Sequence, residues 1–430
     1  MKSFIFFVIY KGIMCENYIH IKKNKGALLH MKEYGFLFGA GAEASFCNTG
    51  KDFAKFIMNV HMGEDIKKID QIIEEHYSNV LNNIREDIPA NWYPEYSISR
   101  REDDFYRNLL NCDKKKKMCD KFFLGDPLED TTDFSITEHD ELLKHAESIT
   151  NYVGVLEKHF HSMITPSVLG GESFWEVVNA YTRAFINISI SIRGISLQNT
   201  SEITKILEDP KKNYQEICGS IKERISNNEE NYYSIIAKFF KNPKVITANY
   251  TPIYDIVMQA KYPDINELQV AKIHGSLDLF ESSFYLQVMN VNDINFKNKY
   301  SNDINFPYLF IQSGIKPIIE YHQLQEYSKM LSFLNNIDTL IILGYKCNSD
   351  DNHINSLLQH FLLKKKENKI VYFYYPDDSK NNEPDILLKR IRIPLHHFES
   401  IKKDQLKIYE LSQDNSFETF EKALDEIIKR

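Results

Sequence analysis

Apolar positions in this chain follow two patterns. Short unbroken apolar runs stand at Tyr34–Phe38 (YGFLF), Lys244–Ala248 (KVITA), Gln269–Ile273 (QVAKI), Tyr308–Gln312 (YLFIQ), Thr339–Leu343 (TLIIL) and Lys369–Tyr375 (KIVYFYY). Runs of that length, without polar alternation, predict strands covered on both faces. Other stretches place apolar residues at helical spacing: Lys51–Val60, Asp65–Ile84, Glu141–His161, Glu172–Ile192, His353–Lys364 and Phe417–Ile428. Strand, glycine turn and helix follow one another at 34–60, and strands alternate with helical stretches after Pro243. The expected fold is therefore α/β: a Rossmann-like, mainly parallel sheet flanked by helices, with a large helical insertion.

The domain reading follows from the same pattern. Residues 31–61 and 241–430 form the sheet domain, and 62–240 form a helical insertion after its first β-α unit. The Lys114–Lys117 run within that block reads as a solvated loop. Residues 1–30 stand apart. Lys2 and the short apolar run Phe4–Tyr10 imitate a signal h-region, but Lys11–His30 is polar and lacks a small-residue cleavage site. They are expected to be an irregular extension or a misassigned start, with Met31 opening the coherent chain.

Composition narrows the function. The net charge is −8 over 430 residues, so net charge gives no basis for direct nucleic-acid binding. No apolar run approaches the roughly 20 residues of a membrane span. The six cysteines, at 15, 47, 112, 119, 218 and 347, show no C-x-x-C spacing, which fits free thiols in a reducing cytoplasm and no zinc ribbon. His159/His161 and His396/His397 lack a third ligand at sensible spacing and read as solvated or structural.

Candidate chemistry sits at the predicted strand ends, where open α/β sheets bind ligands. Gly39-Ala40-Gly41-Ala42-Glu43-Ala44 fits a G-x-G-x-x-A phosphate turn, with glycines for the tight bend and close backbone approach and a helix N-terminus for the charge. Thr247-Ala248-Asn249-Tyr250 follows one strand and Ile273-His274-Gly275-Ser276 the next. Gly344-Tyr345-Lys346-Cys347-Asn348-Ser349-Asp350-Asp351-Asn352-His353 follows a third. Each has a plain reading too: a tight turn, a cap, a satisfied core histidine, an ordinary loop.

Taken in order, GAGAE, TANY, IHGS, SGIKP (Ser313–Pro317) and LGYKCNSDDNHIN resemble the motifs of the sirtuin superfamily, and within it the sirtuin-like effectors of bacterial anti-phage defence. The resemblance covers about residues 34–60 and 244–375. Residues 275–312 lack the cysteines of a deacylase zinc module, the G-I-P-D-F-R continuation is missing, and T-x-N-x-D becomes Thr247-Ala248-Asn249-Tyr250-Thr251, with Asp255 an uncertain substitute.

The resemblance implies NAD+ as substrate, with no metal required, and hydrolysis to nicotinamide and ADP-ribose. Asn249 and His274 would be catalytic. Gly39, Ala40, Gly41, Glu43, Thr247, Ser313, Gly314, Gly344, Tyr345, Asn348 and Asp351 would bind NAD+, with Gly344, Asn348 and Asp351 at the adenosine half. It also implies a gated abortive-infection effector that forms a homo-oligomer and answers to a defence partner such as an ATPase, an Argonaute-type protein or a retron. Two other readings are a catalytically silent sensor of NAD+ or ADP-ribose, and an NAD-dependent deacylase or ADP-ribosyltransferase.

Overall fold

A computed structural model of the chain describes residues 33–46, 68–69, 71–77, 79, 172–227, 229–282, 288–293, 305–310, 321–347, 351–375, 383–411 and 415–429. The unit running from Tyr34 to Arg430 is built on a six-stranded sheet. Its strands are β1 (Tyr34–Phe38), β2 (Lys244–Thr247), β3 (Val270–Lys272), β7 (Thr339–Leu343), β8 (Lys369–Tyr374) and β9 (Leu406–Glu410). They lie in the order β3-β2-β1-β7-β8-β9, and every neighbouring pair is parallel.

The apolar runs are explained by two covered faces. Side chains alternate across a strand. Phe36, Phe38, Val245, Ile341, Leu343, Val371 and Phe373 enter one apolar cluster. Leu37, Ile246, Leu340, Ile342, Ile370 and Tyr372 enter the other. Each fully buried Phe or Leu on this central ladder contributes about 1.5–3 kcal/mol from removal of apolar surface from water.

The first face is covered by α4 (Tyr232–Phe239), α5 (Ile253–Lys261) and the closing helix α10 (Ser416–Lys429), and the same apolar cluster continues beyond it into α1 (Glu172–Arg193), α2 (Thr200–Glu208) and α3 (Pro210–Ser226). Helical residues around Ile69, Ile73 and Tyr77 join the same cluster. The second face is covered by α6 (Tyr321–Asn335), α7 (Asn352–Lys364), α8 (Glu383–Arg390) and α9 (Phe398–Asp404). The described part of the predicted helical block is divided: α4 packs on the parallel sheet, Tyr233 against Phe38, whereas α1 packs on strands Gly275–Ser282 and Asn305–Leu309 outside it, Phe185 against Phe280 and Tyr181 against Phe306. The predicted helices at Lys51–Val60 and Glu141–His161 lie outside the described residues, as does the 1–30 segment.

The apolar run around Tyr308 does not join the parallel sheet. It forms β6 (Asn305–Leu309), which flanks β4 (Gly275–Ser282) opposite β5 (Val288–Asn290) in a separate three-stranded antiparallel sheet. Apolar character alone does not say which sheet a strand joins. Pro307, which cannot donate to a ladder, suits its edge position there.

The strand order positions the site. From β1 the chain winds outward through β2 and β3, then returns to place β7 on the other side of β1 and winds outward through β8 and β9. That is the 3-2-1-4-5-6 order of doubly wound dinucleotide-binding sheets, in which ligands occupy the crevice beyond the carboxyl ends where the winding reverses. Here the crevice lies beyond β1 and β7.

Candidate active site at the strand ends

The glycine turn after β1 is built against the loop after β7. Gly39 N–H donates to Leu343 O at 3.1 Å and Gly41 N–H to Gly344 O at 3.0 Å. A Cβ on Gly39 would lie 2.6 Å from Gly344 O, and one on Gly41 would lie 2.8 Å from Gly344 Cα. Gly344 itself takes φ +68, where a Cβ would meet Ala42 N at 2.2 Å. The glycines are thus demanded by backbone meeting backbone across the reversal point. The turn continues as a short 3-10 segment, Ala40–Glu43.

That segment turns Glu43 inward, leaving it 1 % exposed. Tyr233 Oη donates to Glu43 Oε1 at 2.9 Å, and Thr251 Oγ1 donates to Glu43 Oε2 at 2.7 Å. Asn249 Nδ2 donates to Gly39 O at 3.0 Å and to Tyr233 Oη at 3.3 Å. Its own N–H donates to Thr247 Oγ1 at 3.0 Å. Tyr233 is delivered by the first turn of α4, whose N-cap Asn231 accepts from Ser234 N–H at 2.8 Å. Burial pushes the Glu43 carboxyl up from its ordinary 4.5 to about 7, although the hydrogen bonds from Thr251, Tyr233 and Asn249 oppose that rise.

Asn249 and His274 occupy equivalent positions on adjacent strands. Thr247 and Lys272 are register partners in the β2–β3 pair, and each of the two residues follows its strand's partner by two positions. Both are buried, at 6 % and 5 % exposure. Ile273 N–H donates to Thr247 O at 3.0 Å, carrying the pairing past the strand ends. His274 O accepts from Phe310 N–H at 2.8 Å. Gly275 then takes φ +84, with its Cβ position only 2.0 Å from Tyr308 O, so glycine is required where the chain leaves the parallel sheet for the antiparallel one.

The His274 side chain reaches the far side of the crevice. Its Nε2 stands 3.2 Å from Asp351 Oδ1, at the N-cap of α7. Two strands, β2 and β1, separate β3 from β7 in the sheet, so this contact bridges the strand ends. The loop leading to Asp351 contains Cys347 at φ +53, and Asn355 Nδ2 donates back to Cys347 O at 3.2 Å. The Tyr250 ring lies 6.5 Å from His274, and the His353 ring 5.9 Å from it.

The expected residues thus fall into separate groups. Gly39, Ala40, Gly41 and Gly344 make the bend beside the β1–β7 crevice. Thr247, Asn249 and Glu43 share one hydrogen-bonded network. Asp351, expected at the adenosine half with Gly344 and Asn348, has its carboxylate 3.2 Å from Nε2 of the catalytic candidate His274. The Tyr345 side chain is packed in the second apolar cluster. Asp255, the uncertain substitute for the missing T-x-N-x-D aspartate, is paired with Lys272 Nζ at 2.7 Å. Ser313, Gly314 and Asn348 lie outside the described residues.

Sequence reasoning missed Tyr233. It lies in the helical block with no motif around it, and only folding brings it to Glu43 and Asn249. Thr251 was visible only as a departure from a motif. It supplies the hydroxyl that holds the buried carboxylate.

No protein-family model matches the chain, and no curated protein does. Among solved structures, the chain is similar to a Sir2 homologue in complex with NAD, at 12% identity and a TM-score of 0.28, covering 52% of this chain and 73% of that one. It is also similar to Sir2Tm bound to a propionylated peptide, at 13% identity and a TM-score of 0.28, covering 55% of this chain and 88% of that one. A third is a mutant Sir2 homologue with ADP-ribose, at 11% identity and a TM-score of 0.25, covering 47% and 79%. At these values the chemistry rests on this chain's own side chains.

Proposed function

We propose that the chain is an NAD+ glycohydrolase of the sirtuin-like type, splitting NAD+ into nicotinamide and ADP-ribose. The observation that carries this reading is the pairing of Asn249 and His274 at one level of adjacent strand ends, beside the reversal point of the sheet. The motif order of the sequence adds the choice of dinucleotide.

Residue roles follow from the geometry. The crevice beside Gly39, Gly41 and Gly344 takes the pyrophosphate, and the Gly39 and Gly41 N–H groups, which bond Leu343 O and Gly344 O, hold the bend in shape. The buried Glu43–Tyr233–Asn249 network fixes the Asn249 amide so that it orients a ribose hydroxyl or the attacking water. Asp351 beside His274 Nε2 favours the ring proton on that nitrogen, leaving Nδ1 as the acceptor of a proton from the ribose hydroxyl or water. Cleavage passes through an oxocarbenium-like state, as in other glycoside hydrolysis, and the cationic nicotinamide leaves without needing an acid. A general base in this position is worth about 10²–10⁴-fold in rate.

Residues 31–61 and 241–430 serve as the NAD-binding domain in this reading, and 62–240 as the insertion that gates it or contacts a partner. Unchecked NAD+ loss is toxic, so the activity fits an abortive-infection effector held off by oligomerisation or by a defence partner.

The test is nicotinamide release by the purified full chain, alone and with candidate partners, in wild type, Asn249→Ala and His274→Ala. Both variants should lose turnover while remaining folded by circular dichroism. Full activity in both overturns the site. NAD+ binding without turnover under every activating condition leaves a sensor.

A further inference from the structure

Beside the proposed base, three side chains converge that the glycohydrolase reading does not use together. His274, Asp351 and His353 each offer one ligating atom, and these atoms all lie within 4.8 Å of one another. His274 and Asp351 are buried and His353 is half-buried. They come from two elements only: His274 from the end of β3, and Asp351 and His353 from the N-cap and first turn of α7.

We propose that His274, Asp351 and His353 form a zinc-binding site, and that zinc there switches the crevice off.

The donor set is two imidazoles and one carboxylate. Such a set suits a borderline divalent ion, with a fourth position left for water. With zinc–ligand bonds of about 2.0–2.2 Å, tetrahedral ligand atoms lie roughly 3.4 Å apart. The 3.2 Å between His274 Nε2 and Asp351 Oδ1 already matches one edge of that figure. The third ligating atom, on His353, lies within 4.8 Å of the other two, and its ring is set at 51° to His274 and is flanked edge-on by Tyr327 at 5.4 Å.

The regulatory half of the proposal rests on the glycohydrolase reading; the binding half does not. A neutral imidazole that gives Nε2 to a metal carries its proton on Nδ1. The nitrogen assigned to accept the proton is then no longer an acceptor. Zinc also takes the Asp351 carboxylate that holds the ring. Occupation and base catalysis are therefore mutually exclusive. No bond to substrate is made or broken in this switch: the metal replaces a hydrogen bond and shifts one proton between ring nitrogens.

The experiment uses the purified full chain, stripped with chelator and then titrated with zinc chloride. Calorimetry and metal analysis after desalting should give about one zinc per chain. His353→Gln should weaken zinc affinity roughly tenfold or more, keep the wild-type melting temperature in chelator, and retain nicotinamide release that zinc no longer suppresses. His353→Ala is the second variant, should the glutamine itself ligate. Wild type binding no zinc, or binding it as tightly as both variants, overturns the site. Zinc that binds at this site and leaves wild-type turnover unchanged overturns the switch. A chain with no turnover in any condition sinks the glycohydrolase reading alone, because stoichiometry and affinity still report on the three ligands.

Discussion

Thr251 Oγ1 donates to Glu43 Oε2 at 2.7 Å, tying the residue that replaces an expected aspartate to the carboxylate of the glycine turn. Both groups are buried. Removing the hydroxyl while keeping the shape leaves one carboxylate oxygen short of a donor. Thr251→Val should therefore destabilise the protein by about 1–3 kcal/mol in urea unfolding. An unchanged midpoint would mean the bond contributes nothing.

Glu43 should give the protein a signature in pH. Its carboxyl is raised to about 7 in the fold, from an ordinary 4.5, mainly by burial. Between these values the unfolded chain has released its proton while the folded chain still holds it. Stability from this group is thus full below about 4.5, falls as pH rises towards 7, and is level above that, a change on the order of 3 kcal/mol. His76 works in the opposite sense. Burial lowers it from 6.5 to about 4, so its contribution is present above 6.5 and is lost as pH falls towards 4. Glu43→Gln should flatten the first slope and leave the second, as read by melting temperature from pH 4 to 8.

Tyr233 joins Glu43 to Asn249 through one hydroxyl. Tyr233→Phe keeps the ring packed against Phe38 and Tyr254 but removes that link. Nicotinamide release should fall roughly tenfold or more through kcat, beside a stability loss of about 1–3 kcal/mol like that of Thr251→Val, since both hydroxyls donate to Glu43. Equal kcat in the variant and wild type would remove Tyr233 from the orientation of Asn249.

Asp351→Asn preserves volume at the α7 N-cap and changes only what faces His274. Its amide can present a donor where the carboxylate accepted, favouring the wrong ring tautomer. Turnover should drop by about 10–10³-fold with the fold retained. A drop confined to KM would place Asp351 in ligand binding, as the motif resemblance implies.

Gly344→Ala tests the junction between the β1 and β7 loops. The added methyl must enter 2.2 Å from Ala42 N at a φ of +68. Strain and clash together should cost several kcal/mol. Circular dichroism on heating should show an early, broad transition, whereas Gly219→Ala on α3, with open space around it, should not.

Much of this was readable along the chain. Unbroken apolar runs follow from a sheet covered on both faces, and helical spacing in His353–Lys364 and Phe417–Ile428 follows from single buried stripes, whereas residues 181–190 are buried on nearly every side. The H-G and G-Y pairs were legible because backbone crowding at Gly275 and Gly344 excludes any side chain. These are local requirements, written in neighbouring residues.

What folding alone decided is which distant residues meet. Tyr308 reads like its fellow strands, yet its partners are antiparallel, because a strand's sheet depends on the edge it finds. Tyr233 reaches Glu43 across 190 residues, and Asp351 reaches His274 from the other side of β1. Periodicity records how each segment buries its own surface; it holds no record of what a buried polar group will find on the far side of the sheet. That pairing is settled only when the strand ends are brought together, since burial then penalises every polar atom left without a partner.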